Sequence, residues 1–240
     1  MAFCSLFAQE KPAGITYGIK AGFTFPKLYG ISQFMSTNRS YSIDEQSITS
    51  FYVGGVVNIP VGKTSSGQLF IQPGLSFVGK GGQEVTTFTD AAIAAGAALG
   101  TDLSGDVTLK ETISYLEVPV NLIVDFKVGA GSLLFGVGPY LGFALSGKQN
   151  VSYSGTFEQH IGAAGVAAGT TDLVFGSGKG NDFKKIDFGL NFLFGYQLMS
   201  GLSINLGLGV SAISIHPVNN TRGEAKIENL VYSAGLGYAF

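Results

Sequence analysis

From Leu202 to Ser211 apolar residues alternate with small or polar ones without a break. Leu202, Ile204, Leu206, Leu208 and Val210 fall on one side, and Ser203, Asn205, Gly207, Gly209 and Ser211 on the other. A repeat of two puts successive side chains on opposite faces of a strand. The pattern recurs in eight stretches, the last ending on Phe240. Strands with two unlike faces can fold in two ways. A soluble sandwich turns the apolar face toward a core. A membrane barrel turns it to lipid and keeps the small and polar groups inside.

Composition favours the second. Charged residues make up 12% of the 240, against roughly 25% in soluble domains. Glycine reaches 36 residues, a fraction about double the ~7% average. A surface this poor in charge implies that part of it never meets water. Two stretches, Val128–Gly147 and Leu198–Ile215, carry no charge and are long enough for a membrane helix. The first holds six glycines and Pro139, which at about 1 and about 3 kcal/mol each would dismantle a helix. Both also alternate with period two, so strands are expected.

The eight strands are expected at 15–24, 49–59, 68–80, 113–126, 132–146, 185–198, 202–211 and 230–240, most of them 11–15 residues long. Soluble strands average about 5–6 residues, whereas a tilted membrane strand needs about 9–11 for the hydrocarbon alone. The connections alternate long (25–48), short (60–67), long (81–112), short (127–131), long (147–184), tight (199–201) and intermediate (216–229). Membrane barrels show this alternation, with short periplasmic turns and longer extracellular loops. An even strand number then leaves both ends of the barrel in the periplasm. Tyr17, Phe126, Tyr196, Tyr238 and Phe240 gather toward the short-turn rim, and Phe23, Phe51, Phe77, Phe143 and Phe188 toward the other. These are the two interfacial girdles expected of a membrane barrel.

The opposite faces carry Lys20, Tyr52, Asn58, Phe70, Gln72, Ser76, Tyr115, Glu117, Asn121, Asp125, Tyr140, Asp187, Asn191 and Gln197 among many glycines. An eight-stranded barrel is just wide enough for such side chains to fill it, so a plugged lumen is expected, with tyrosines crossing toward glycines. Lys20 and Glu117 both fall near mid-barrel and are expected to pair, because an unpaired buried charge is costly.

Signals for other chemistry are weak. The net charge is −2 and the 14 basic residues are scattered, which gives no footprint for nucleic acid. The single Cys4 excludes an internal disulfide or a cysteine zinc site, and Ala2-Phe3 before it makes a poor lipoprotein signal. Gly62-Lys63-Thr64 lacks the phosphate-loop glycine, Val57 standing in its place, and Gly176-Ser177-Gly178-Lys179-Gly180 lacks the following Ser/Thr. His160 lies in the third long loop. His216 lies near Ser211, Ser214 and Glu224 at an outer strand end, but no spacing specifies a triad. No catalytic, metal or cofactor residue is expected, and no enzymatic activity. The Ala/Gly-rich tracts 91–100 and 162–169 are expected on the long loops, where partners would bind. Residues 1–12 read as the tail of a secretory signal without its basic start; the barrel occupies 13–240.

Several strand motifs are more specific than composition. Tyr17-Gly18-Ile19-Lys20-Ala21-Gly22, Gln72-Pro73-Gly74-Leu75, Tyr115-Leu116-Glu117-Val118-Pro119-Val120 and Gly138-Pro139-Tyr140-Leu141-Gly142 together resemble the PorT-like outer-membrane β-barrel family of Bacteroidetes, over nearly the whole of 15–240. The resemblance implies an outer-membrane location, a founding relative that assists protein secretion, and a terminal aromatic, here Phe240, read by the barrel-assembly machinery. Expected partners are therefore membrane lipids, that machinery and envelope or secretion-system proteins, around a barrel that is monomeric. A narrow passive pore and a lipid-modifying enzyme at the rim are the competing expectations, with a soluble lipocalin-like binder behind them.

Overall fold

The computed structural model describes residues 14–30, 41–64, 67–88, 105–156, 168–178, 180–217 and 226–240. They form ten antiparallel strands: β1 (Thr16–Tyr29), β2 (Tyr41–Gln46), β3 (Ser50–Thr64), β4 (Gly67–Phe88), β5 (Gly105–Val128), β6 (Gly131–Tyr153), β7 (Gly169–Asp172), β8 (Ile186–Leu198), β9 (Leu202–Ser211) and β10 (Glu228–Ala239). Eight of them close a ring in the order β1-β3-β4-β5-β6-β8-β9-β10 and back to β1, while β2 and β7 add to β4 and β6 outside it. Closure rests on twelve paired positions between β1 and β10, from Gly18 opposite Ala239 to Tyr29 opposite Glu228. The chain is an all-β, eight-stranded up-and-down barrel.

The period-two reading assigns the faces correctly. Leu202, Ile204 and Leu206, with Phe188, Leu190, Phe192 and Phe194, all point out and are exposed, while Ser203, Asn205 and Asp187 point in and are buried. Outward aromatics pack on one another across strands: Phe135 lies edge-on to Phe126 and Phe194, at 6.0 and 5.1 Å, and Phe51 stacks on Phe77 at 5.4 Å. In water this exterior would be a large apolar surface; in lipid it is the favoured one. Leu206 sits at the middle of β9 on that exterior. Leu206→Arg is expected to cost about 2–4 kcal/mol, measured by urea unfolding in lipid vesicles. A loss below about 1 kcal/mol would contradict a bilayer midplane at this height.

Turns at one end are tight. Residues 199–201 connect β8 to β9 with Gly201 at φ +90°, its N–H bonded to Leu198 O at 3.0 Å. A three-residue hairpin wants a left-handed residue in that place. The other end departs from the expected boundaries. β4, β5 and β6 run 22, 24 and 23 residues, so much of what read as loop at 81–112 and 147–184 is strand. Above Phe77, Leu116 and Leu145 the outward positions turn polar, with Gln83, Lys110, Thr112, Lys148 and Asn150. The apolar alternation that marks a strand in lipid ends where the strands enter water, although the ladder continues. There β2, β4, β5, β6 and β7 form a projecting sheet.

A register shift on β3 between Pro60 and Gly62 and two irregularities on β4, β5 and β6 shape the wall. Ser114 pairs with Ser146 but Tyr115 pairs with Ala144, so Leu145 is an extra residue. This bulge switches the inward set of β6 from even to odd numbers. Pro73, Pro119 and Pro139 fall on the adjacent strands β4, β5 and β6. Pairing lapses between Pro73 and Ser76 against β5, and between Pro119 and Leu122 against β6, as residues without an N–H require.

Candidate functional site: the closed lumen

The lumen divides into a sealed upper half, at the long-loop end, and an open lower half. The upper half is organised by Lys80 on β4, whose side chain is 2% exposed. Its ammonium lies 2.9 Å from Glu117 Oε2 on β5 and 2.9 Å from Asp187 Oδ2 on β8. The same nitrogen sits 4.0 Å from the ring centre of Tyr140 and 5.1 Å from that of Tyr115. Asp187 is satisfied on every side. Its Oδ1 accepts from the Ser211 hydroxyl at 2.6 Å, and its Oδ2 from the Asn229 amide at 3.1 Å and the Tyr140 hydroxyl at 3.2 Å. Glu117 Oε1 accepts from the Asn191 amide at 3.1 Å. Six of the eight ring strands thus contribute to one buried cluster. Its members neutralise or hydrogen-bond one another, the condition on which burying charge becomes tolerable.

The tyrosines do not cross the lumen as expected but lie along its wall, over the directly paired glycine of the neighbouring strand: Tyr140 over Gly189 and Tyr52 over Gly22. A Cβ at Gly189 would lie 2.7 Å from the Tyr140 ring, and one at Gly22 would lie 2.8 Å from the Tyr52 ring. Above the ion cluster Leu28, Ile113, Tyr115, Leu173, Phe183, Ile215 and Ile227 form an apolar plug. Four of these, Leu173, Phe183, Ile215 and Ile227, come from irregular segments folded inward over the mouth. Leu173 N–H bonds Gly147 O at 2.9 Å, Lys184 N–H bonds Ile215 O at 2.7 Å, and Ile215 N–H bonds Ile227 O at 2.9 Å. Polar cluster and apolar plug together close the outer end.

The expected Lys20–Glu117 pair is corrected. Lys20 Nζ donates to Gln72 Oε1 at 2.8 Å, and Glu117 is taken by Lys80. Lys20 does share a hydrogen-bonding row with Glu117, through Gly54 and Ser76. Barrel strands, however, tilt by about 35–45°. Three strand spacings of about 4.8 Å then lift Glu117 roughly 9 Å above Lys20. Lys80 is the residue that sequence reasoning missed. It has the same parity as the inward Phe70, Gln72 and Ser76, but the reading placed it at a strand end and never in the lumen.

The rim residues considered for catalysis have structural partners. Ser211 is committed to Asp187. His216 is buried, with Nδ1 3.0 Å from Pro217 O, and Ser214 Oγ accepts the backbone N–H groups of His216 and Ile227. His160, Glu224, Cys4, Lys179 and the tract 91–100, with most of 162–169, lie outside the described residues. Phe240 is described: its N–H bonds Tyr17 O at 2.8 Å, and its exposed ring packs edge-on to Tyr238 at 5.0 Å on the short-turn rim.

Several solved structures are similar. Ail, the attachment invasion locus protein of Yersinia pestis, is 11% identical with a TM-score of 0.38, covering 95% of this chain and 99% of that one. Neisserial surface protein A is 13% identical with a TM-score of 0.36, covering 95% and 99%. OprG from Pseudomonas aeruginosa is 13% identical with a TM-score of 0.39, covering 95% and 96%. No curated protein matches the chain. The profile of the family described as outer membrane protein beta-barrel domain matches residues 7–221, in agreement with the lipid-facing exterior and the filled polar lumen. The chain belongs to the outer-membrane-protein β-barrel-domain family and resides in the bacterial outer membrane.

Proposed function

We propose that this barrel is a non-conducting interaction protein of the cell envelope, which presents its long-loop end to other envelope or secretion-system components. The observation that carries the reading is the closure of the lumen by the Lys80 cluster and the apolar plug. It coincides with the extension of β4, β5 and β6 into a sheet beyond the apolar belt. A conducting barrel needs a continuous polar path, and this one invests its lumen in a plug. A projecting sheet edged by polar strands suits protein contacts better than solute passage. The PorT-like motifs around Glu117 and Tyr140 favour a secretion-accessory version. In this reading the barrel is monomeric, its girdle meets lipid, and Phe240 serves as the assembly machinery's recognition signal.

The test joins two measurements. In planar bilayers the purified barrel is expected to give no discrete conductance steps. In cells, cross-linking with an affinity tag at 91–100 is expected to recover a reproducible envelope protein. Stepwise currents would favour the narrow-pore reading, and a barrel recovered alone would overturn the interaction reading.

A further inference from the structure

The open half of the lumen has features that the sealed half does not explain. A cavity of about 510 Å³ opens at the short-turn end, and a second of about 120 Å³ continues it upward to Lys80 and Glu117. Lys20, Gln72, Val56 and Asn205 line both, so they form the neck between them. One wall of the lower cavity is apolar: Phe70 and Ile123, directly paired on β4 and β5, with Leu134 beside them on β6 and Val56 on β3. Polar groups line the rest: Asn58 and Gln72 next to Val56 and Phe70 on β3 and β4, Lys20 on β1, and Ser203 and Asn205 on β9.

The side-chain charge in this cup has one sign. Among the described residues that line it are two lysines, Lys20 and Lys127, and no aspartate or glutamate. Lys20 hydrogen-bonds one neutral acceptor, Gln72 Oε1, and Gln72 in turn donates to Asn58 Oδ1 at 2.6 Å. An ammonium has three donors, so the neck holds cationic donor capacity that no carboxylate takes up. Asn205 is 3% exposed. Its amide donates to Ser203 Oγ at 2.9 Å, while its Oδ1 turns toward Gly195 of β8 and is closed off from the cavity. Gly237 makes this convergence possible: a Cβ there would lie 2.7 Å from Ser203 Oγ, 3.0 Å from Asn205 Nδ2 and 3.2 Å from Lys20 Cγ.

We propose that the cup is a binding site, entered from the short-turn end, for a small organic carboxylate with an apolar body. Its carboxylate meets Lys20 at the neck, and its apolar body lies on Phe70, Ile123 and Leu134. The volume falls within the range of small-molecule sites, about 300–1,000 Å³. Predominantly apolar walls with a few placed polar groups are the usual make-up of such sites. Because the Lys80 cluster closes the far end, the cup holds its ligand and does not pass it outward. The site is independent of whatever the long-loop end binds.

The probe is 4-hydroxybenzoate, compared with its neutral amide, 4-hydroxybenzamide, on the full-length barrel in nanodiscs. Titration calorimetry and side-chain methyl NMR of Ile123 and Leu134 report the binding. The acid is expected to bind at least about tenfold more tightly than the amide, the ratio that one charge-assisted hydrogen bond supports. Lys20→Gln should erase that preference and Lys20→Arg should keep it, each variant being checked for its heat-shifted band on gels. If Lys20→Gln does not fold, the acid–amide comparison on the native barrel and on Phe70→Ala still decides, since Phe70→Ala should weaken both compounds equally. Equal affinities for acid and amide, a preference that survives Lys20→Gln, or no saturable binding of either compound would overturn the proposal.

Discussion

Lys80→Met is expected to lower the stability of the barrel by about 3–5 kcal/mol, because it removes one partner from a buried ionic network and leaves the others without compensation. Glu117 and Asp187 both lie 2.9 Å from the one ammonium, so its loss leaves two buried carboxylates facing a methyl group. Neutralising both should reverse the damage. In the triple variant Lys80→Met/Glu117→Gln/Asp187→Asn no buried charge remains, and Asn191, Ser211 and Asn229 still have amide oxygens to bond. Most of the lost stability is then expected to return, since exchanging a whole buried ionic set for neutral groups of similar volume is often close to neutral. Urea unfolding in lipid vesicles, followed by the gel shift of the folded form, measures both variants. A single variant within about 1 kcal/mol of the parent would show that water reaches the cluster and screens it. A triple variant as unstable as the single would show that packing around Lys80, and not its charge, holds the upper lumen.

The parts of this architecture that were legible in the sequence are those that one strand displays by itself. Alternation within β8 and β9 assigns Phe188, Phe192, Leu202 and Leu206 to lipid and Asp187, Asn205 and Ser211 to the lumen, because a strand has no third choice. Loop alternation fixed the up-and-down order and the shared end at which β1 begins and β10 finishes. What one strand cannot show is the relative height of residues on different strands. Lys20 and Glu117 look level when each is counted from its own strand end, and the tilt that separates them belongs to the closed barrel. Lys80 was hidden for another reason. Beyond Phe77 the exterior of β4 turns polar and the alternation fades, so the pattern gives out at the residue that organises the lumen. Counting parity two residues past the last apolar position would have placed Lys80 inside, on the face that alternation had already given to Glu117 and Asp187. The plug lay beyond any such count. Leu173, Phe183 and Ile215 sit in irregular segments with no period, and only the folded mouth brings them together.

That plug carries the second large effect. Phe183 is fully buried and packs within the cluster of Leu28, Ile113, Leu173 and Ile215. Truncation of a buried aromatic costs about 3–5 kcal/mol, the lost transfer energy adding to that of the cavity left behind. The cost in Phe183→Ala falls on a segment with few other anchors, chiefly the bonds Gly176 N–H to Phe183 O at 2.9 Å, Asp182 N–H to Val174 O at 2.8 Å and Lys184 N–H to Ile215 O at 2.7 Å. The barrel wall below keeps its ladders, so the expected result is local opening of the plug with the ring of strands intact. Lys184 and Lys185 lie immediately after Phe183, and Lys184 Nζ is held by Ser214 O at 2.8 Å, which makes trypsin a direct reporter. Cleavage at this pair in vesicle-embedded barrels is expected to accelerate at least about a hundredfold, the factor that about 3 kcal/mol implies when reclosing outpaces cutting, while the heat-shifted band persists. Equal cleavage rates in parent and variant would mean that Phe183 does not hold the mouth shut. A loss of the folded band together with faster cutting would mean that plug and wall unfold as one unit, and that the outer seal is part of what keeps the barrel closed.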